Sequence, residues 1–162
     1  MPKAPLQVGL QSIKERLEVF MPKPTQIDHI AIATPNLDES LKFYQEQLGL
    51  EVSHVEELPE RGIRVAMLPI GEATIELVEP LHDQSEVSGF LAKRGAGIHH
   101  IALRSENVDE DVETLKKNQV RLTSEHAAPG AHGCRVAFIH PKASGGVLLE
   151  LTTPPKDGHD AT

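Results

Sequence analysis

In Ile27-Asp28-His29-Ile30-Ala31-Ile32-Ala33 the positions of His29, Ala31 and Ala33 alternate with the bulky apolar Ile30 and Ile32, a period of two that predicts a β-strand over residues 27 to 34. Asn36 then precedes Glu39 by three residues in a capping-box-like start, and Gly49 supplies a stop, so a helix is expected over about 38 to 48. Apolar, β-branched runs at Leu50 to Val55, Ile63 to Ile70 and Ala73 to Val78 predict three strands, with a tight hairpin turn at Gly71-Glu72 between the last two. The succession then returns as a strand over 98 to 104, a cap at Asn107, a helix over 108 to 118, and strands near 121 to 125, 134 to 140 and 146 to 152. A short helix around Ser85 to Lys93 is expected to connect the halves, and Leu10, Ile13, Leu17 and Phe20 form an amphipathic stripe ahead of them.

The recurrence is also one of sequence. Ile27-Asp28-His29-Ile30-Ala31 and Ile98-His99-His100-Ile101-Ala102 stand 71 residues apart, matching at their third positions, His29 and His100, as do Asn36 and Asn107. Ile75-Glu76-Leu77-Val78-Glu79-Pro80 finds its echo in Leu149-Glu150-Leu151-Thr152-Thr153-Pro154, 74 residues on. The expected fold is therefore α+β, two tandem βαβββ modules of about 26–80 and 97–155 forming a curved sheet around a central metal cleft. Residues 1–25 read as an N-terminal extension to a domain spanning 26–155, and residues 156–162 as a polar tail.

Strand alternation gives the repeated polar residues a direction. His29 shares a face with Ala31 and Ala33, His100 with Ala102, Glu76 with Thr74 and Glu150 with Thr152, while the bulky Ile and Leu neighbours take the opposite face to pack on a helix. One imidazole and one carboxylate from each module, meeting on a face of small residues, make two nitrogen and two oxygen ligands for a divalent cation. His29, Glu76, His100 and Glu150 are the expected ligands; such a set suits Co²⁺, Mn²⁺, Ni²⁺, Fe²⁺ or Zn²⁺. Of the other histidines, His54, His82, His126 and His159 are expected to be solvated and His99 to face the core, while His132 and His140 are candidates for the substrate side.

Composition narrows the partners. With 16 Lys+Arg against 24 Asp+Glu the net charge is −8, which disfavours nucleic acid and anionic membranes. The single cysteine, Cys134, forms no internal disulfide, and no apolar run spans a bilayer, so a reducing, cytosolic address is expected. Local cations for an anionic substrate are sought in Lys93, Arg94, Arg104, Arg135 and Lys142.

These motifs resemble the vicinal oxygen chelate superfamily, which includes the glyoxalase and bleomycin-resistance proteins, and within it the methylmalonyl-CoA epimerase family. The closer likeness lies in Ile27-Asp28-His29-Ile30-Ala31, in Asp83-Gln84-Ser85 through Gly97-Ile98-His99-His100-Ile101, and above all in Phe138-Ile139-His140-Pro141-Lys142 running into Gly145-Gly146-Val147-Leu148-Leu149-Glu150-Leu151. The resemblance covers about residues 26 to 155. It implies an isomerase that epimerises methylmalonyl-CoA at C2 by proton abstraction and return through an enolate, with a divalent metal, commonly Co²⁺, and as a homodimer. Some bacterial members of that family carry Gln at the position of Glu76 and a separate base glutamate on the preceding strand, where this chain has Val65. Glu76 is therefore expected to combine ligand and base duties, with Glu150 as the second catalytic carboxylate. Glyoxalase I and a non-catalytic small-molecule-binding member of the superfamily are the competing readings.

Overall fold

The computed structural model describes residues 21–156. The amphipathic stripe read at Leu10 to Phe20 and the tail from residue 157 lie outside them. The first half comprises β1 (Ile27–Ala33), α1 (Leu37–Lys42), β2 (His54–Leu58), β3 (Ile63–Ile70) and β4 (Ala73–Pro80). After the connecting α2 (Glu86–Arg94), the second comprises β5 (Gly97–Arg104), α3 (Val108–Lys117), β6 (Ala128–Pro129), β7 (Arg135–Ile139) and β8 (Leu149–Thr153). All eight strands join one sheet in the order β2-β3-β4-β1-β5-β8-β7-β6. β1 is parallel to β4 and β5 to β8, and β1 meets β5 antiparallel at the centre. The sheet curls until its two ends touch: the ring of His54, on edge strand β2, lies 3.9 Å from that of His132, in the turn between β6 and β7.

The repeat extends to the local chemistry that starts each helix. Asn36 accepts from the Glu39 N–H at 3.0 Å, and Asn107 from that of Glu110 at 3.4 Å. Each cap's own N–H is held by a hydroxyl two residues earlier, Thr34 at 3.2 Å and Ser105 at 3.1 Å. The first helical N–H of α1 reaches Glu79 and that of α3 reaches Thr153, so each helix is pinned to the closing strand of its own module.

The outer face of each half is a helix-on-sheet core. Leu37 packs with Ala66, Leu68 and Leu77 in the first half, and Val108, Val112 and Leu115 pack with Ala137 and Leu151 in the second. On the inner face the expectation of a polar surface lined by small residues needs correction. Ala31 and Ala33 pack with Ile63, Val65, Val78 and Val87 of α2, so here small side chains make room for a covering helix, not for solvent.

Three elements differ from the sequence reading. The first helix changes pitch at Phe43–Gln47, a π-helical turn closed by the Leu48 N–H on the Phe43 carbonyl, before Gly49 ends it at φ 68°. The strand expected at 50 to 55 forms instead at His54–Leu58, because Leu50 and Val52 are drawn under α1 into the core. Its charged Glu56 and Glu57 hid it from a hydrophobic pattern, and edge strands are where such residues belong. No strand forms over 121 to 125: Leu122 makes one isolated bridge to Ile139, the polar run Ser124-Glu125-His126 follows, and pairing resumes only at Ala128–Pro129.

Candidate metal centre

The strand order puts the two imidazoles on the inner pair, β1 and β5, and the two carboxylates on the strands that flank it, β4 and β8. His29 Nε2 lies 3.3 Å from His100 Nε2, 3.5 Å from Glu76 Oε2 and 3.8 Å from Glu150 Oε1. His100 Nε2 lies 3.2 Å from Glu150 Oε2 and 3.8 Å from Glu76 Oε2. All four residues are at most 7% exposed. Ligand atoms at about 2.1 Å from one cation stand roughly 3.0–4.1 Å apart, so these separations fit a single transition-metal ion held by nitrogen and oxygen. His29, His100 and Glu150 satisfy the geometry of a metal-holding group as a trio; Glu76, the fourth expected ligand, lies 3.5 and 3.8 Å from the two imidazoles but falls outside that group.

Two register shifts, absent from the sequence reading, build the support behind the imidazoles. Pairing steps from Ile27↔Leu103 to His29↔Ala102, so Asp28 is the extra residue on β1; it steps again from Ala31↔His100 to Ile32↔Ile98, making His99 the extra residue on β5. A bulge suspends strict alternation, and each extra residue thereby reaches its neighbour. Asp28 Oδ1 lies 2.9 Å from His29 Nδ1, and His99 Nδ1 lies 2.9 Å from His100 Nδ1. If each Nδ1 carries the proton shared with that partner, the Nε2 atoms are the ones that face the cluster and would bind a cation. His99, expected to face the core, instead sits against Phe90 of α2 with ring centroids 5.0 Å apart and lines the cleft.

The two supports differ in charge. Burial would lower the His29 imidazole, but the Asp28 hydrogen bond with the Glu76 and Glu150 charges raises it to about 9. Asp28 is half-buried; its bonds from His29 and Arg104 outweigh burial and hold its carboxyl below the usual range. His99, by contrast, is lowered to about 4 by burial and by the neighbouring His100. Burial also raises the Glu76 carboxyl, against the pull of His29 and His100.

Above the cluster opens a cleft of about 1160 Å³. His132 and His140 both line it, and so does His82, expected in solvent, whose ring lies against Gly62 so closely that a Cβ there would collide with it. Of the five cations sought near the cleft, only Arg104 lines it, and its Nε and Nη2 are both 2.9 Å from Asp28. Arg135 pairs with Asp109 on the surface at 2.8 and 2.7 Å, and Arg94 lies over Phe90. Arg61 is the cation that sequence reasoning missed. Its guanidinium lies 5.8 Å from the ring centroid of Phe138, which in turn stands edge-on to His100. Nothing in the run Pro59-Glu60-Arg61 marks it; only the fold brings that turn over the cleft.

Residues 28–138 match the family model of the Glyoxalase/Bleomycin resistance protein/Dioxygenase superfamily. The mitochondrial methylmalonyl-CoA epimerase of Mus musculus is 42% identical over 127 residues, which cover 78% of this chain and 71% of that protein. The ethylmalonyl-CoA/methylmalonyl-CoA epimerase of Cereibacter sphaeroides is 38% identical over 128 residues, 78% of this chain and 96% of that protein. A variant of Streptomyces coelicolor methylmalonyl-CoA epimerase, solved in complex with 2-nitronate-propionyl-CoA, superposes with a TM-score of 0.79 at 40% identity, covering 83% of this chain and 97% of that one. The likeness to the lactoylglutathione lyase of Arabidopsis thaliana is weaker, at 27% identity over 123 residues, 76% of this chain and 42% of that protein.

Proposed function

The chain belongs to the glyoxalase/bleomycin resistance protein/dioxygenase superfamily, and from that premise we propose that it is an isomerase interconverting the 2R and 2S forms of methylmalonyl-CoA. The observation that carries the reading is the pair of buried carboxylates, Glu76 and Glu150, brought from opposite modules to the floor of a cleft roomy enough for a CoA ester. Epimerisation needs a proton removed from one face of a carbon and delivered to the other, and two such groups suffice without a redox cofactor.

His29, Glu76, His100 and Glu150 are the residues that hold the metal in this proposal, with Co²⁺ named ahead of Mn²⁺, Ni²⁺, Fe²⁺ and Zn²⁺. A divalent ion held there would stabilise the negative charge that develops on the thioester oxygen as the C2 proton leaves. Glu76 accepts that proton in this proposal, as a buried carboxylate 3.5 Å from His29 and 3.8 Å from His100. Glu150, across the β1–β5 pair, serves the opposite face. Val65 is fully buried among Ile63, Val78 and Val87, so the preceding strand offers no carboxylate at that position. Arg61 supplies the local positive charge that a chain of net charge −8 needs for an anionic thioester.

Among the described residues no helix is long and apolar enough to cross a membrane. A homodimer in the cytosol completes the proposal, and light scattering on the purified chain tests the dimer. The activity is tested by supplying the Co²⁺-loaded protein with (2R)-methylmalonyl-CoA and, separately, with the glutathione hemithioacetal of methylglyoxal. Formation of the 2S thioester without lactoylglutathione is expected; the reverse outcome would identify a glyoxalase.

A further inference from the structure

A second group of ligand-type side chains lies where the two ends of the curled sheet meet. His54 and Glu56 belong to edge strand β2, and His132 to the turn Ala131–Gly133 at the other end, 76 residues beyond Glu56. Cross-strand register pairs His54 with Met67 and Glu56 with Val65, and Met67 in turn pairs with Glu76, so both β2 residues point to the same inner face as the first metal centre. β2 stands two strands from β4, the nearest strand of that centre, about 10 Å across the sheet, and further still from the imidazoles on β1 and β5.

The three residues already contact one another. His54 Nε2 is 3.5 Å from Glu56 Oε2, the His54 and His132 rings are 3.9 Å apart, and the His132 backbone N–H donates to Glu56 Oε2 at 3.1 Å. One ligand atom from each lies within 4.8 Å of the other two, close to the roughly 4.1 Å limit for donors sharing one transition-metal ion. His132 is held at φ 56°, in the left-handed region that a histidine seldom enters, and this conformation turns its N–H to Glu56 while its side chain meets His54. The site is half-exposed and therefore reachable from solvent, with Ser53 and His132 lining the cleft beside it.

We propose that His54, Glu56 and His132 form a second divalent transition-metal site, distinct from the buried centre, that pins the two ends of the sheet together at the mouth of the cleft. Two imidazoles and one carboxylate leave open positions for water, and a set of this kind favours Zn²⁺, Ni²⁺ or Cu²⁺ over Mg²⁺ or Ca²⁺. The ion would close a junction that is spanned by the Glu56 to His132 hydrogen bond and the contact of the two tilted rings.

The test uses the full chain, stripped with a chelator and dialysed against micromolar Zn²⁺, with zinc counted per protein by mass spectrometry. Replacing all three residues, by His54→Ala, Glu56→Gln and His132→Ala, is expected to lower the zinc content by one equivalent while the His29/His100 centre keeps its own. The double variant His29→Ala/His100→Ala is expected to lose the other equivalent and keep this one. Because the triple variant also disturbs the junction, imidazole NMR of the wild-type protein supplies a second reading: the ring resonances of His54 and His132 should move as the zinc binds. A triple variant that binds as much zinc as the wild type, or His54 and His132 resonances that stay fixed through the titration, overturns the proposal.

Discussion

The two halves of the molecule share a framework and differ in how they brace their imidazole. In the first, a bulge lends His29 an anionic partner, Asp28, itself clasped by Arg104 from the other half; in the second, the matching bulge lends His100 a neutral one, His99, backed by Phe90. One imidazole is pushed up to about 9 while the neighbour of the other is pushed down to about 4. A duplicated fold has thus kept the geometry of an imidazole pair while making its electrostatics unequal. An epimerase acts on two mirror-related faces, so symmetric carboxylates on asymmetric supports allow the faces to be served by groups of different basicity.

The largest expected effect tests the symmetric part. Glu76→Gln and Glu150→Gln should each lower kcat by about 10²- to 10⁴-fold, the usual range for a proton-transfer group, with each variant retaining solvent exchange from at most one face. Full activity in either variant breaks the pairing. Next comes the asymmetric part: Asp28→Asn should weaken metal binding about 10- to 100-fold, as loss of a partner behind a ligating histidine does, and His99→Gln should cost less because a neutral partner is replaced by another. Isothermal titration with Co²⁺ measures both, and equal losses would mean that the charge difference is idle.

The pH dependence sharpens the same contrast. A metal ion must displace the His29 proton, so affinity should rise by up to about tenfold per pH unit between pH 7 and 9 and then level off, with a shallower slope in Asp28→Asn. Without metal the trend reverses for stability. The raised His29 contributes in full below its ordinary value of 6.5, and that contribution is lost as pH rises through about 9, so the Tm of chelator-treated protein should fall across this interval. The smallest effects compare the caps: Asn36→Ala should cost about 1 kcal/mol by chemical denaturation, and Asn107→Ala, whose bond is 3.4 Å against 3.0 Å, somewhat less.

Much of the fold could be read in advance because its signals are local or repeated. The βαβββ succession, both asparagine caps and the Gly71 hairpin follow from neighbours within a few residues, and the 71-residue echo picked out His29 and His100 among nine histidines. The bulges at Asp28 and His99 were not legible, because a bulge is a relation between two strands, and the adjacent polar pairs Asp28-His29 and His99-His100 do not by themselves say where the pairing slips. The same holds for Arg61 and for the cluster of His54, Glu56 and His132, whose members come together only when the sheet curls. Edge strand β2 was expected a few residues too early for a different reason: its charged residues answer to exposure at a sheet edge, which the apolar run at Leu50 to Val55 does not show.

The central claim is that these residues move the C2 proton of a methylmalonyl thioester at a metal centre. Proton NMR of methylmalonyl-CoA in D₂O follows that proton directly. The account predicts that the Co²⁺-loaded protein washes deuterium into C2, that a chelator stops the exchange, and that added Co²⁺ restores it. No exchange in the metal-loaded protein, or exchange indifferent to the chelator, would contradict it.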